Sequence, residues 1–271
     1  MSEQIGQGVA LITGASAGIG ATYADRLARQ GHDLVLVARD RARLEALAER
    51  LRTAYGVAVE VLAADLTVKA ELLAVERRIR DDAALTFLVN NAGVGPAGPL
   101  LGADEDYLDR MLQLNVVATN RLAVAAATAF AARGRGTIVN LASVVALVPE
   151  RFNGTYAGSK AFVLALTQSL QTELASSGVR LQAVLPGLTR TEIFERAGVD
   201  IDRLDPTMLM AVDDLVDAAL TGLDQGEAVT IPSLPEPAQW EASVAARLAL
   251  GPNLSKDRPA DRYGVPHRTA A

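Results

Sequence analysis

The chain has 271 residues, of which 50% are hydrophobic and 21% are charged. This composition is typical of a globular protein and excludes a chain that is disordered over its whole length. It contains no cysteine and only two histidines, which excludes disulfides and thiolate nucleophiles and argues against any metal site. The formal net charge is −6 and no basic run occurs, so the charge distribution does not favour a nucleic-acid partner.

The N-terminal segment predicts neither a signal peptide nor a membrane span. No basic residue precedes its first apolar stretch, and glycines interrupt the uncharged residues 4–24. A strand followed by a glycine-rich turn accounts for this stretch better than a membrane helix does. We therefore expect a cytoplasmic protein without a membrane partner.

Short β-branched runs alternate with longer segments of helical periodicity along the chain. This alternation is typical of βαβ units, which build a parallel sheet with helices on both faces. Strands are predicted at 9–13, 33–38, 57–62, 86–90, 136–143, 179–185 and 228–231. Helices are predicted from about residue 18 onwards and at 41–55, 69–80, 103–133 and 156–176.

The pattern predicts an α/β fold built on one doubly wound parallel sheet of about seven strands. No internal repeat or linker divides the chain, so a single domain is expected over residues 1–250. Residues 251–271 are rich in proline and in polar and charged side chains, and we expect them to form a mobile tail.

A glycine-rich turn follows the first predicted strand and opens the first helix. Gly14, Gly18 and Gly20 in TGASAGIG allow the backbone to approach a pyrophosphate, and the helix N-terminus supplies free N–H groups. The alternative is a strand–helix turn that binds no ligand. The position of the motif between a first strand and a first helix favours a Rossmann-type dinucleotide site.

The second predicted strand ends at the corner where such a site distinguishes two cofactors. An acidic residue there binds the ribose 2′-hydroxyl of NAD, whereas an arginine accommodates the 2′-phosphate of NADP. The chain has Arg39 at this corner, so NADP(H) is the preferred cofactor and NAD(H) is the alternative. Asp40 follows it, either as the cap of the next helix or as a residue near the ribose.

Three side chains suited to proton transfer lie close together in the sequence. Tyr156 and Lys160 are four residues apart on one face of a predicted helix, where an ammonium can lower the pKa of the phenol. Ser143 ends a predicted strand, and its hydroxyl can hold a carbonyl oxygen. A tyrosine–lysine pair alone is common on solvated helices. All three residues, however, follow a nucleotide loop at the C-terminal ends of parallel strands, where ligands bind.

Together these motifs resemble the short, single-domain branch of the short-chain dehydrogenase/reductase family. TGASAGIG is similar to its cofactor loop, NNAG at 90–93 to its fourth-strand motif, and PGLTRT at 186–191 to its nicotinamide-side motif. Ser143, Tyr156 and Lys160 match the serine, tyrosine and lysine of the family, and Asn115 matches its asparagine. The similarity extends over about residues 8–232, in order and with compatible spacing.

The resemblance implies an NAD(P)-dependent oxidoreductase that transfers a hydride between the nicotinamide and a carbonyl or secondary alcohol. It implies that Tyr156 is the general acid, that Ser143 orients the substrate oxygen, and that Lys160 binds the nicotinamide ribose and lowers the pKa of the phenol. It also implies that Asn115 holds a water linking the lysine to solvent.

The resemblance also implies a set of cofactor-binding residues, with Asp65 near the adenine and Asn91 near the adenosine ribose. The whole set is Gly14, Ser16, Ala17, Gly18, Ile19, Gly20, Arg39, Asp65, Leu66, Asn91, Ala92, Gly93, Tyr156, Lys160, Pro186, Gly187, Thr189 and Thr191. NADP-using members often have a basic residue where this chain has Ala17, so Arg39 is left as the main ligand of a 2′-phosphate.

Three loops, at 94–101, 144–155 and 192–210, are expected to line the substrate site. They are mostly apolar, which favours a hydrophobic or medium-sized carbonyl compound. The apolar residues are Val94, Leu100, Val145, Leu147, Phe152, Ile193, Phe194, Met208 and Met210. The alternative for any one of them is that it only packs its loop.

A dinucleotide-sensing regulator on the same fold is the alternative to an enzyme, since a fold does not fix a function. The intact tyrosine, lysine and serine favour the enzyme, because a sensor needs no proton donor. A nucleotide-sugar epimerase would need a larger C-terminal substrate domain than this chain provides. The helices predicted at 103–133 and 156–176 are apolar on more than one face, which predicts a homodimer or homotetramer.

Overall fold

The aliphatic and β-branched runs of the chain pair into one parallel sheet. The computed structural model describes residues 8–191 and 205–265. The strands of these residues are β1 (Val9–Thr13), β2 (Asp33–Ala38), β3 (Val59–Ala63), β4 (Leu85–Asn90), β5 (Gly136–Leu141), β6 (Val179–Val184) and β7 (Val229–Thr230). Their spatial order is β3-β2-β1-β4-β5-β6-β7, which confirms the predicted seven-stranded sheet. The order reverses between β1 and β4, and ligands of such sheets bind at this switch point.

Helices cover both faces of the sheet. They are α1 (Gly18–Arg29), α2 (Arg41–Tyr55), α3 (Lys69–Asp81), α4 (Glu105–Leu112), α5 (Thr119–Arg133), α6 (Gly154–Glu173), α7 (Val212–Asp224) and α8 (Pro237–Leu248). Helices α1, α2 and α7 pack on one face, and α3, α5 and α6 pack on the other. Successive strand residues enter opposite cores, as Leu11 and Ile12 do, which explains why the strands are almost continuously apolar.

Capping side chains set the helix starts that differ from the sequence prediction. Helix α6 begins two residues earlier than expected because Asn153 caps it, with Oδ1 accepting from the N–H groups of Thr155 and Tyr156 at 3.1 and 3.2 Å. Helix α4 begins two residues later than expected because Asp104 is its cap. The strand bounds agree with the prediction to within two residues.

A π-helical turn, Gln113–Ala118, joins α4 and α5 into one helical run over residues 105–133. Such a turn adds a residue to the helical repeat and is often found at functional sites. Among the described residues, this run alone is long and apolar enough to cross a membrane, judged by length and composition only. Half of its apolar window is buried inside the protein, as in the core helices of soluble proteins, so the support for a membrane span is weak.

The chain divides into two compact units, residues 1–232 and 233–271. The first unit contains the whole sheet and helices α1 to α7. The second contains α8 and short 3₁₀ turns at Gly251–Asn253 and Asp261–Tyr263, and none of its described residues is buried. The expected domain boundary at residue 250 stays a prediction.

Candidate active site

Hydrogen bonds tie the loop after β1 to the loop after β4. Thr13 Oγ1 accepts from the backbone N–H groups of Asn91 and Ala92, both at 3.0 Å. The Asn91 side chain donates in return to the carbonyl oxygens of Thr13 and Gly14, at 2.9 and 3.2 Å. Gly14 has φ +67°, and a Cβ there would lie 2.7 Å from Asn91 Nδ2, so the close approach of the two loops requires glycine. The amide nitrogen of Asn91 thus supports the loop rather than pointing freely towards a ribose.

The N-terminus of α1 has the features that a pyrophosphate group needs. Ala17 precedes the helix without a side-chain cap, so no side chain competes for the N–H groups of the first turn. A Cβ at Gly18 would lie 3.4 Å from Thr191 Cγ2, which places the segment after β6 beside this helix start. Ser16 is half-buried in the turn, and Ile19 packs against the core. The chain therefore fits a dinucleotide at this end of α1.

Arg39 follows the last residue of β2 at the same edge of the sheet. Its side chain is exposed and forms no hydrogen bond or ion pair with any residue that the structure describes. Asp40 caps α2, because its Oδ1 accepts from the N–H group of Arg43 at 3.0 Å. Of the two interpretations of Asp40, the structure supports the helix cap. Arg39 is available to an anion at this corner.

Asp65 and Leu66 lie just beyond the end of β3. Asp65 Oδ1 accepts from Thr67 at both the backbone N–H and the hydroxyl, at 2.9 and 2.7 Å. The N–H group of Asp65 donates to Glu71 Oε2 at 2.6 Å. Leu66 is buried beside this turn. The turn therefore holds both residues at the edge of the sheet where β1, β2 and β4 also end.

Lys160 lies on the second turn of α6 and reaches the end of β5. Its Nζ donates to the Leu141 carbonyl oxygen at 2.9 Å and lies 5.9 Å from the centre of the Tyr156 ring. The residue is 7% exposed, and this burial lowers the pKa of its ammonium to about 8. A Cβ at Gly93 would lie 3.6 Å from Nζ, so the loop after β4 approaches the lysine closely.

Tyr156 is partly buried beside Ser143. Burial raises the pKa of the Tyr156 phenol, and the Ser143 hydroxyl opposes that rise. The spacing of the two residues predicts that the Lys160 ammonium lowers this pKa. In the structure burial outweighs the effect of the Ser143 hydroxyl, so the net direction is upward and the phenol keeps its proton at neutral pH. Such a phenol is a proton donor.

Ser143 lies between the end of β5 and the segment after β6. Its Oγ donates to the Pro186 carbonyl oxygen and accepts from the N–H group of Val145, both at 3.3 Å. Ser143 is buried, and these bonds hold its hydroxyl beside the Tyr156 phenol. The structure thus brings together the three residues that the sequence spacing grouped.

Asn115 lies in the π-helical turn and holds the start of the loop after β4. It exchanges two hydrogen bonds with the backbone of Val94, both at 2.9 Å. Its Nδ2 also donates to Ser159 Oγ at 3.2 Å, and the Ser159 hydroxyl donates to the Tyr156 carbonyl oxygen at 2.7 Å. Asn115 is therefore connected both to the substrate side of the site and to the helix that carries the phenol.

The segment after β6 forms the remaining side of the site. The Pro186 carbonyl oxygen also accepts from the N–H group of Val144 at 3.0 Å. Thr189 is buried, donates through Oγ1 to the Gly187 carbonyl oxygen at 3.1 Å, and forms an isolated parallel bridge with Met210. This segment is fixed at both ends, next to Ser143 and next to the start of α1.

The apolar residues expected to line the substrate site divide into two groups. Leu100, Leu147, Phe152 and Met208 are exposed, although each is a large apolar side chain. Val145 is buried and Met210 packs against a core cluster, so these two pack their loops, whereas Val94 is half-buried and its backbone is held by Asn115. Ile193 and Phe194, with residues 192–204 of the third loop, lie outside the described residues.

The sequence did not indicate the role of two residues that hold the loop at 94–101 in place. Asn153 Nδ2 donates to the Gly98 carbonyl oxygen at 3.0 Å, and the Tyr107 hydroxyl donates to the Gly95 carbonyl oxygen at 2.7 Å. An asparagine three residues before Tyr156 is a recognisable helix cap. Its bond to a carbonyl oxygen 55 residues away has no signal in the sequence.

Comparison with known proteins identifies the family. The family model described as short chain dehydrogenase matches residues 8–201. A short-chain dehydrogenase from Sphingobium yanoikuyae, solved in complex with NADPH, is 52% identical over 94% of this chain and 99% of its own, with a TM-score of 0.92. The bulky-bulky ketone specific alcohol dehydrogenase from Comamonas testosteroni is 45% identical over 94% of this chain and 98% of its own, with a TM-score of 0.87. An uncharacterised oxidoreductase from Staphylococcus epidermidis is 33% identical over 79% of this chain and 90% of its own.

The chain therefore belongs to the short-chain dehydrogenase family, and the resemblance drawn from its motifs is confirmed. It is an oxidoreductase that uses a nicotinamide cofactor and transfers a hydride between that cofactor and a carbonyl or secondary alcohol.

Proposed function

We propose that this short-chain dehydrogenase reduces ketones with two large apolar substituents and prefers NADPH over NADH. One observation carries the reductase activity and the cofactor preference: a phenol whose pKa burial raises, a buried lysine and an arginine without a partner among the described residues lie along a single edge of the sheet. The first two residues suit the reduction of a carbonyl group. The third suits the cofactor that carries an additional phosphate.

Four residues take part in proton transfer: Tyr156, Ser143, Lys160 and Asn115. The bound cofactor supplies the hydride to the carbonyl carbon. Tyr156 donates its phenolic proton to the carbonyl oxygen, which becomes the hydroxyl of the product, and Ser143 holds that oxygen beside the phenol. Lys160 binds the nicotinamide ribose and helps to return a proton to the phenolate, through a water held by Asn115. Alcohol oxidation uses the same groups in reverse.

The preference for NADPH rests on Arg39. Its guanidinium is exposed and has no partner in the described chain, whereas the neighbouring Asp40 is engaged as a helix cap. The Sphingobium relative is in complex with NADPH. A charge-assisted bond from Arg39 to the 2′-phosphate distinguishes the two cofactors.

The rest of the cofactor is bound by residues along the same edge of the sheet. Residues 14–20 hold the pyrophosphate, Asp65 and Leu66 the adenine, residues 91–93 the adenosine ribose, and residues 186–191 the nicotinamide. The free N–H groups at the start of α1 and the turn at Asp65 support this assignment.

The preference for two large substituents rests on apolar surface displayed by the loops. Leu100, Leu101, Leu147, Phe152 and Met208 are exposed large hydrophobic residues, and they all lie in the three loops around the phenol. Exposed large apolar side chains in the loops that border a binding site favour an apolar ligand. The Comamonas relative is specific for bulky-bulky ketones.

We further propose a cytoplasmic homodimer or homotetramer assembled through α5 and α6. Val124 on α5 is 38% exposed and Phe162 on α6 is 37% exposed, so each helix presents a large apolar side chain to solvent as well as a buried face. A second copy of the chain would cover these side chains.

Steady-state reduction, followed by nicotinamide absorbance with NADPH and with NADH, tests the proposal. A diaryl ketone and a methyl aryl ketone are compared as substrates, and we expect the higher kcat/KM with NADPH and the diaryl ketone. Arg39→Asp should raise the KM for NADPH far more than that for NADH, because attraction to the phosphate becomes repulsion. Arg41→Asp makes the same charge change on a residue that faces Glu45 and should leave the cofactor preference intact. Equal effects of Arg39→Asp on both cofactors would refute the preference.

A further inference from the structure

The loop at 94–101 is fastened to the helices on either side of it through two backbone carbonyl oxygens. The Gly98 carbonyl oxygen accepts from Asn153 Nδ2 at 3.0 Å, and the Gly95 carbonyl oxygen accepts from the Tyr107 hydroxyl at 2.7 Å. Asn153 caps α6, and Tyr107 lies on α4. We call Asn153 and Tyr107 the loop clamp.

The loop runs from the buried lysine to the start of the helix that carries the phenol. At its beginning, Gly93 is so close to Lys160 that an added Cβ would lie 3.6 Å from Nζ. Near its end, Leu100 Cδ2 would lie 3.5 Å from a Cβ at Gly154, two residues before Tyr156. The loop therefore forms one wall of the space in front of the phenol.

Asn153 connects this wall directly to the reactive helix. Its Oδ1 accepts from the N–H groups of Thr155 and Tyr156, at 3.1 and 3.2 Å, while its Nδ2 donates to Gly98. A single planar amide thus sets the distance between the loop and the backbone of the catalytic tyrosine. An aspartate or serine would cap the helix as well as asparagine does, but neither could supply the N–H group for Gly98.

The attachment adds order to the loop, because its glycines retain conformational freedom that Pro96 and Pro99 restrict only in part. Gly98 has φ +135° and Gly102 has φ +78°, with no atom within 4 Å of an added Cβ at either position. Both glycines lie in backbone regions that other residues rarely adopt, and glycine loses the most conformational freedom on folding. Between them Leu100 and Leu101 are 44% and 94% exposed. A free loop would have to be ordered each time a substrate bound to these two side chains.

We infer that Asn153 is a positioning residue that also determines specificity, because it holds the loop at 94–101 as a fixed apolar wall for one large substituent of the ketone. The inference rests on the proposed function. It states that Asn153 determines the size of substituent that the site favours. A ketone with a small substituent on this side does not reach Leu100 and Leu101. Its binding therefore depends less on Asn153.

Asn153→Asp and Asn153→Ser test the inference, because both keep the helix cap and remove the bond from Nδ2 to Gly98, which the aspartate replaces by repulsion between two oxygens. We expect the KM for the diaryl ketone to rise by about 2- to 10-fold, the usual contribution of one hydrogen bond. The KM for the methyl aryl ketone should rise less, and kcat for the diaryl ketone should change less than KM. Asn153→Ala, which removes the cap as well, should in addition lower Tm.

Ser177→Ala is the matched control. The Ser177 hydroxyl donates to the Leu174 carbonyl oxygen at 2.7 Å, beyond the opposite end of α6, so this variant also loses a side-chain bond to a backbone carbonyl. It should leave the ratio of the two KM values unchanged. Tyr107→Phe removes the other half of the loop clamp and should change the ratio in the same direction as Asn153→Asp.

Amide hydrogen exchange provides a readout that does not depend on activity. In Asn153→Asp the amides of Ala97, Gly98, Leu100 and Leu101 should exchange faster than in the wild type, while those of the first turn of α6 should not. An unchanged KM ratio, with or without faster exchange, would overturn the inference. A wild type that reduces neither ketone would instead refute the proposed function, and exchange would still show whether Asn153 holds the loop.

Discussion

Replacing Lys160 by methionine is expected to stabilise the cofactor-free protein while it abolishes turnover. Burial lowers the pKa of this lysine from 10.5 to about 8. Because one pH unit of difference in pKa corresponds to about 1.4 kcal/mol, the buried ammonium costs about 3 kcal/mol of unfolding free energy at neutral pH. Loss of the bond from Nζ to the Leu141 carbonyl oxygen reduces this gain in unfolding free energy by about 1 kcal/mol. The expected net gain for Lys160→Met is about 2 kcal/mol.

The gain in unfolding free energy that Lys160→Met provides depends on pH. Below the folded pKa of about 8, both the folded and the unfolded chain keep the proton, so the cost of burying the charge is complete. Between about pH 8 and 10.5 the folded lysine is neutral while the unfolded one still binds a proton. Wild-type stability therefore rises with pH across this window. The advantage of Lys160→Met should shrink across the same window.

Urea unfolding of both proteins without cofactor, at about pH 7 and about pH 9.5, measures this difference. Lys69→Met is the matched control, because Lys69 is an exposed lysine at the start of α3. Its stability difference from the wild type should be small at both pH values. A Lys160→Met protein less stable than the wild type at about pH 7 would refute the reasoning, as would a gain that is equally large at about pH 9.5.

Three further predictions concern the acid, the core and the assembly. Tyr156→Phe should keep NADPH affinity, measured by fluorescence titration, and should lower kcat by about 10²- to 10⁴-fold because the proton donor is lost. The Tyr23 hydroxyl is fully buried with no hydrogen-bond partner in the described chain, so Tyr23→Phe should raise the unfolding free energy by about 1 kcal/mol in urea titrations. Tyr55→Phe, which loses a 3.2 Å bond to Asp25, should lower it instead. Light scattering at micromolar concentration should show a dimer or tetramer, and a fully active monomer would contradict the proposed assembly.

The sheet and the grouping of the catalytic residues follow from short-range features of the sequence. A strand of five or six apolar residues and a helix of regular period are each encoded within their own segment. Tyr156 and Lys160 share a helix face because they are four residues apart, and Ser143 lies beside them because it follows the end of β5. The strand order then brings the ends of β1, β4 and β5 together. Prediction succeeds here because each step depends on local spacing and on one topology.

Other features depend on which distant segments come into contact. The direction of the Tyr156 pKa follows from how deeply the phenol is buried, and spacing to Lys160 alone does not determine burial. The π-helical turn at Gln113–Ala118 lies inside a continuous apolar run, where a pattern of helical period does not reveal an additional residue. The bond from Asn153 to Gly98 joins a helix cap to a glycine loop across 55 residues. Each of these features required the tertiary structure.

The polar groups of the site fall into two kinds, which differ in how many hydrogen-bond partners they have within the described chain. Supporting groups are fully bonded, as when the Asn91 amide bonds Thr13 and Gly14 or when Asn115 bonds Val94. The groups assigned to ligands have few or no partners among the described residues. The ammonium of Lys160 is buried, the first turn of α1 lacks a side-chain cap, and the guanidinium of Arg39 has no partner among the described residues. The buried ammonium lowers the stability of the free protein, and a hydroxyl bound to it would offset that cost, so ligand binding and folding stability are coupled at this edge of the sheet. The supporting bonds hold the loops after β1 and β4 in place beside these groups, which is the arrangement that a preformed binding site requires.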